Sequence, residues 1–325
     1  MTTLRRVLRP AFGLALLAAV LLTVNPDEVA GRLEKAQVGT VGLAIIGLSA
    51  THLIAAAAWR LILARLGDVR LSWRAAARLF YAAQAIGALT PANLGGDVHR
   101  AVALNAAGHG PRASVSPLLV QRAMSYAALG MLSVAALVPI AGRAEAAVPF
   151  VIFGCAFAVA IFVALGVVVL PGPFASLRAR ALRLFGLPGA APISSPVAEL
   201  AKAGAIGLVL GFAFHAAAIA WTWLLLGAVD PGLPAVPVLA ALAIARLSLA
   251  VPFTPSGLGI QEGALALLFG QLGMSPETAL AGMLLARLSI VLTTAVGAFF
   301  LVRPGPLRSS GDPSTISTHP APHRG

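Results

Sequence analysis

ALTPANLGGDVHRAV, residues 88–102, sets two glycines, a proline, Asp97, His99 and Arg100 side by side in an otherwise apolar chain. PFTPSGLGIQEGALA, residues 252–266, repeats its Thr-Pro-x-x-Leu-Gly frame. Thr90, Pro91, Leu94 and Gly95 recur as Thr254, Pro255, Leu258 and Gly259 at one offset of 164, about half of the 325 residues. Proline removes an amide hydrogen and disfavours helix for the residue before it, while glycine permits close approach and unusual dihedrals. Each frame therefore predicts an interruption between two helices, and the repetition predicts two related halves.

Composition places these interruptions in a membrane. The chain is 59% hydrophobic and only 10% charged, with a mean hydropathy of +0.92, more apolar surface than a soluble fold of this length can hide. The net charge of +12 comes without a basic block interleaved with aromatics, so nucleic acid is not an expected partner. The single Cys155 rules out an internal disulfide. His, Cys and carboxylate residues show no metal-ligand spacing, and GLGIQEG lacks the preceding strand and the GxGxxG spacing of a nucleotide fold. No cofactor, metal or catalytic residue is expected.

Apolar runs able to cross roughly 30 Å of hydrocarbon occur at about 38–64, 114–140, 147–170, 203–228 and 278–301. A shorter run, 11–24, reads as either a retained span or a signal peptide. The segments 75–96 and 235–272 are apolar but broken. With residues 1–10, 65–78, 97–113, 171–202 and 302–325 placed in the cytoplasm, 16 of the 23 basic residues lie there and only Arg32, Lys35 and Arg143 lie opposite. That bias predicts cytoplasmic termini. Parity then forces 75–96 to enter and leave on the cytoplasmic side and 235–272 on the outer side, each as a re-entrant hairpin with its break buried in protein.

The expected fold is an all-α polytopic membrane protein of about six transmembrane helices plus two re-entrant helical hairpins in an inverted repeat. It forms a single transmembrane domain over 1–303, with halves at about 38–140 and 203–303, a linking span at 147–170, and a disordered cytoplasmic tail at 304–325. His52 and Trp59 find counterparts in His215 and Trp223, and Arg122 in Arg287, at offsets of 163 to 165.

Thr90, Pro91, Gly95 and Gly96 form the first break; Thr254, Pro255, Gly257 and Gly259 form the second. Helices restarting after such breaks direct positive N-termini toward the gap, which suits an anion such as phosphate. Asp97 and Glu262 lie in the first turns of those helices, where they either cap amides locally or answer a cationic headgroup or a proton. Arg122, Arg246 and Arg287 are costly in a bilayer and ask for partners, Asp97 and Glu262 being the natural ones. Two readings stay open: structural charge pairs locking the hairpins, or a headgroup site of Arg122, Arg287, Arg246, Arg100 and the helix ends.

PANLGGDVHRA at 91–101, PSGLGIQEGALAL at 255–267 and QRAMSYAALG from Gln121 resemble the paired motifs of the flippase-like family named for the membrane region of lysylphosphatidylglycerol synthase. The likeness covers roughly residues 38–303. It implies a bacterial inner-membrane protein that moves or presents lipid; together with the charges read above, the expectation is a phospholipid or lipid-linked substrate whose phosphate is held by Arg122 and Arg287. The chain ends about 24 residues after its last apolar run, so the family's C-terminal transferase and its synthase activity are not expected. Gln121 stands where relatives carry an acidic residue beside the intramembrane arginine. The alternative is a membrane-embedded lipid-modifying enzyme, or a scaffold for a separately encoded lipid transferase. Membrane lipid is the expected partner; such a transferase and a homo-oligomer stay open.

Overall fold

The computed structural model describes residues 17–90, 93–156, 159, 196–250, 254 and 256–303. These residues are helical, with no strand among them. In chain order the helices are α1 (Pro26–Glu34), α2 (Val38–Ala50), α3 (His52–Leu66), α4 (Trp73–Gly87), α5 (Leu94–Ala106), α6 (Pro111–Leu137), α7 (Ala147–Ala156), α8 (Val197–Val229), α9 (Ala235–Ala245), α10 (Ile260–Gln271) and α11 (Pro276–Val302). Local chemistry fixes several starts. Asn25 accepts from the Asp27 and Glu28 amides ahead of α1, Ser72 from Ala75 ahead of α4, and Ser275 from Thr278 ahead of α11. Pro26, Pro111 and Pro276 begin α1, α6 and α11, where a missing amide costs nothing.

Among the described residues, four helices are long and apolar enough to cross a membrane: Val38–Leu66, Ala113–Ile140, Val197–Val229 and Pro276–Val302. The first is α2 and α3 joined at Thr51, which keeps helical dihedrals while its hydroxyl bonds back to the Leu48 carbonyl. These four coincide with the expected spans at 38–64, 114–140, 203–228 and 278–301. Of the expected spans at 11–24 and 147–170, 17–22 and Ala147–Ala156 are helix and the chain turns at 23–24, while 11–16, 157–158 and 160–170, like the 304–325 tail, lie outside the described residues.

Both broken segments are helix, break, helix. α4 packs on α5 across a break at 88–93, and α9 continues through a 3-10 turn (Arg246–Ala250) before a break leading to α10, on which it packs. Each pair sits in its own apolar nest. Trp59, Leu63, Leu71, Phe80 and Leu104 surround the first, and Leu226, Leu242, Ile244, Leu268 and Phe269 the second. The packing is reciprocal. α4 lies against α11, the last span, and α9 against α6; α6 packs on α8 as α11 packs on α2.

The connecting segments sort into two groups. Arg32 bridges to Asp230 at 3.3 Å, the Asn25 amide donates to Glu277 at 3.4 Å, and the Ala146 amide donates to Gln271 at 3.0 Å. These segments are the ones charge counting puts on the outer side. Arg65 meets Glu199 at 3.2 Å, joining two segments counted as cytoplasmic.

Candidate functional site

The first break is held by its own residues. The Thr90 hydroxyl donates to the Gly87 carbonyl and accepts from the Gly95 amide, both at 2.9 Å. Asn93, at φ 60°, takes the left-handed conformation, and its side-chain amide donates to Gln84 at 3.0 Å. Gly95 and Gly96 have ordinary dihedrals, and their smallness serves close approach: a Cβ on Gly96 would stand 2.5 Å from the Ala83 carbonyl oxygen of α4. Gly257 and Gly259 do need glycine's conformational freedom, at φ 68° and 80°. Thr254 is fully buried, while Pro91 and Pro255 lie outside the described residues.

The breaks meet. Ser256 of the second donates from its hydroxyl to the Ala88 carbonyl of the first at 3.4 Å. Around this meeting lies a cavity of about 320 Å³, at the lower end of the range for small-ligand sites. Arg100, Arg122, Arg246, Arg287 and Asp97 line it. Glu262 does not; it stands behind Arg287 at 0% exposure.

The charges pair in two parallel ways. Arg122 on α6 binds Asp97, which begins α5, and its guanidinium lies 5.8 Å from the Tyr126 ring. Arg287 on α11 donates through Nε to Glu262, which begins α10, at 2.6 Å, and through Nη1 to the Ser256 carbonyl at 2.8 Å. Asp97 also binds Arg100 at 2.5 Å, and Arg100 is held between the rings of Phe80 and Trp59, at 4.7 and 5.1 Å. Gln121 completes this cluster, accepting from Arg100 at 3.2 Å and donating to the Ala55 carbonyl at 2.7 Å. It supplies a neutral acceptor at the position where relatives were expected to bring a charge.

One expected pairing is corrected. Arg246 has no carboxylate partner among the described residues, because both Asp97 oxygens face Arg100 and Arg122 and both Glu262 oxygens face Arg287 and the Gly259 amide. At the restarted helices four amides are engaged within the breaks: Gly95 donates to Thr90, Gly96 to the Asn93 carbonyl, Gly259 to Glu262 and Gln261 to the Gly257 carbonyl. The arginine side chains bring the formal positive charge that lines the cavity.

His52 and His215 line the same cavity, with Phe214 edge-on to both rings at 5.9 and 5.0 Å, and His215 contacts the Ser125 hydroxyl at 3.1 Å. Trp59 is fully buried, whereas its counterpart Trp223 is 37% exposed, so that correspondence is positional only. Composition does not reveal Asn93, Ser256 or the aromatic clamp on Arg100; asparagine's tolerance of left-handed backbone is the one signal that points to the first of them. No group of three or more His, Cys, Asp or Glu able to hold a metal occurs among the described residues.

No curated protein matches this sequence. Residues 6–297 match the family described as the lysylphosphatidylglycerol synthase TM region. With four helices of spanning length and that match over most of its residues, the chain is a multi-pass membrane protein and belongs to the lysylphosphatidylglycerol synthase transmembrane-region family.

Proposed function

We propose that this chain is a flippase-like carrier that moves a phospholipid or another anionic, lipid-linked substrate across the bacterial cytoplasmic membrane. In this reading α4–α5 and α9–α10 are re-entrant hairpins entering from opposite faces, related by an inverted repeat, with both termini cytoplasmic. Reciprocal packing, two ion pairs of equal sequence separation and the grouping of connecting segments support that topology. Irregular backbone at membrane depth is tolerated where it is buried or lines a cavity, and the two breaks do both.

The observation that carries the reading is the cationic cavity between the touching breaks. A headgroup held there is shielded from hydrocarbon while its acyl chains remain in lipid, and alternate parting of either hairpin exposes it to one side. The family match supports a lipid-related role. A separately encoded lipid-modifying enzyme that supplies or consumes the lipid is the natural partner.

Purified protein reconstituted into vesicles with fluorescent phosphatidylglycerol tests this directly. A quencher outside protein-free vesicles removes only outer-leaflet signal; carrier-containing vesicles are expected to lose the inner-leaflet signal as well. Retention of that signal would overturn the reading, and appearance of a chemically altered lipid without any partner would replace it with an enzymatic one.

A further inference from the structure

Three of the four cavity arginines are answered by carboxylates: Arg100 and Arg122 by Asp97, and Arg287 by Glu262. Arg246 is not. It is 9% exposed, its enclosed Nε has no hydrogen-bond partner, and it forms no ion pair with any described carboxylate. It caps the C-terminal end of α9, where the helix dipole offsets part of its charge; its backbone amide donates to the Leu242 and Ile244 carbonyls, but its side chain donates to none there. His215 Nδ1 and Thr293 Oγ1, which belong to residues lining the same cavity, are likewise buried without partners. Buried polar groups left unsatisfied in this way call for an explanation, an unseen ligand among them.

The surroundings decide the sign of that ligand. Among the described residues, Arg100, Arg122, Arg246 and Arg287 stand against Asp97 and Glu262, so the site carries an excess of positive charge. The oxygens of both carboxylates are already engaged, which leaves no free carboxylate among the described lining residues to receive an ammonium group. An uncompensated guanidinium at membrane depth is expensive, and an incoming phosphate would remove that cost while accepting its donors.

We infer that Arg246 is the residue that receives the phosphate of an anionic lipid headgroup, and that Arg122 and Arg287 hold the hairpins rather than the ligand. The inference rests on the carrier reading and gives it a substrate class: a phospholipid of net negative charge, with an aminoacylated, cationic headgroup disfavoured. A singly charged phosphodiester placed against Arg246 neutralises the unpaired charge; a lysylated one returns a cation to a site with no free carboxylate.

The test is ligand-induced stabilisation of the full chain in detergent, read as the shift of the melting temperature and titrated for apparent affinity. Phosphatidylglycerol is expected to stabilise the wild type, lysyl-phosphatidylglycerol to do so less, and inorganic phosphate at equal concentration not at all. Arg246→Gln is expected to melt no lower than wild type without lipid, since it removes an unpaired buried charge, but to bind phosphatidylglycerol about tenfold or more weakly, the scale of one charge-assisted hydrogen bond. Arg246→Lys, which keeps the charge, is expected to retain most of the shift. Wild-type affinity in Arg246→Gln would overturn the inference, and so would equal response of the wild type to both lipids, a readout that stands even if that variant fails to fold. Stabilisation by inorganic phosphate but not by lipid would assign the site to a soluble anion and overturn the lipid assignment. A wild type that moves lipid in vesicles yet shows no charge preference sinks this inference alone; one that moves none sinks the carrier reading beneath it.

Discussion

Arg287 donates to Glu262 at 2.6 Å across an interval of 25 residues. The Arg122–Asp97 pair spans the same interval in the other half. In both cases a spanning helix grips the first turn of a restarted helix, so the pair fixes where each hairpin ends inside the protein. The two pairs are unequal in surroundings: Glu262 is fully enclosed and also accepts the Gly259 amide at 2.9 Å, whereas Asp97 is partly exposed and shares its charge with Arg100.

Glu262→Ala is therefore expected to destabilise the protein strongly, by about 3–5 kcal/mol, because it leaves an enclosed guanidinium and a helix-start amide without their acceptor. Thermal unfolding in detergent checks this. Arg287→Ala should cost a similar amount, and the double substitution should cost clearly less than the two singles added together. A double variant whose loss equals that sum would show that the pair is not coupled.

Arg122→Ala is expected to lower the melting temperature less than Arg287→Ala does. Asp97 keeps Arg100 as a partner, and its side chain, unlike that of Glu262, retains some solvent exposure. Equal losses in the two variants would contradict the asymmetry of the two sites.

Glycine positions separate packing from permissiveness. Gly96→Ala places a Cβ 2.5 Å from a backbone oxygen of the facing helix, so α4 and α5 must part, at a cost of about 1–3 kcal/mol. Gly42→Ala meets nothing within 4 Å and is expected to be neutral or stabilising by up to about 1 kcal/mol. Comparing the two melting temperatures tests whether the first hairpin is as tightly closed as its geometry requires.

Much of this architecture is legible in the sequence, and its limits have physical causes. The Thr-Pro-x-x-Leu-Gly frames locate both interruptions because proline and glycine act on their own backbone, independent of context. The arginines announce themselves because charge in an apolar run is costly wherever it falls. Which arginine finds which carboxylate is a different kind of fact. Arg122, Arg246 and Arg287 look equivalent as letters, and only the packing of α6, α9 and α11 gives carboxylate partners to two of them and leaves Arg246 without one among the described residues. The left-handed residue of the first break is likewise Asn93 rather than a neighbouring glycine, because Gly95 and Gly96 are needed inside α5 for contact with Thr90 and Ala83.

Sidedness is testable because Cys155 is the sole cysteine. In a Cys155→Ser background, single cysteines at Asp68 and Arg303 are expected to react with a membrane-impermeant maleimide only from the cytoplasm, and those at Arg143 and Asp230 only from outside. Asp230 lies beside Arg32 and near Thr278, so it also reports for both of those segments. Labelling of positions 68 and 230 from one side would overturn the opposed arrangement of the hairpins.

The contact between Ser256 and Ala88 offers a test of movement rather than of architecture. If the cavity opens by parting one break from the other, a covalent link between them must stop transport while leaving the fold intact. Ala88→Cys with Ser256→Cys, in the cysteine-free background, puts a thiol on each of two residues that already touch, the Ser256 hydroxyl lying 3.4 Å from the Ala88 backbone carbonyl. Oxidation is expected to form the disulfide, abolish loss of inner-leaflet fluorescence in vesicles, and raise rather than lower the melting temperature; reduction is expected to restore movement. Each single cysteine variant should transport lipid whether oxidised or reduced. Undiminished transport through the linked protein would mean that lipid passes without the breaks separating, and the cavity between them would then lie off the route.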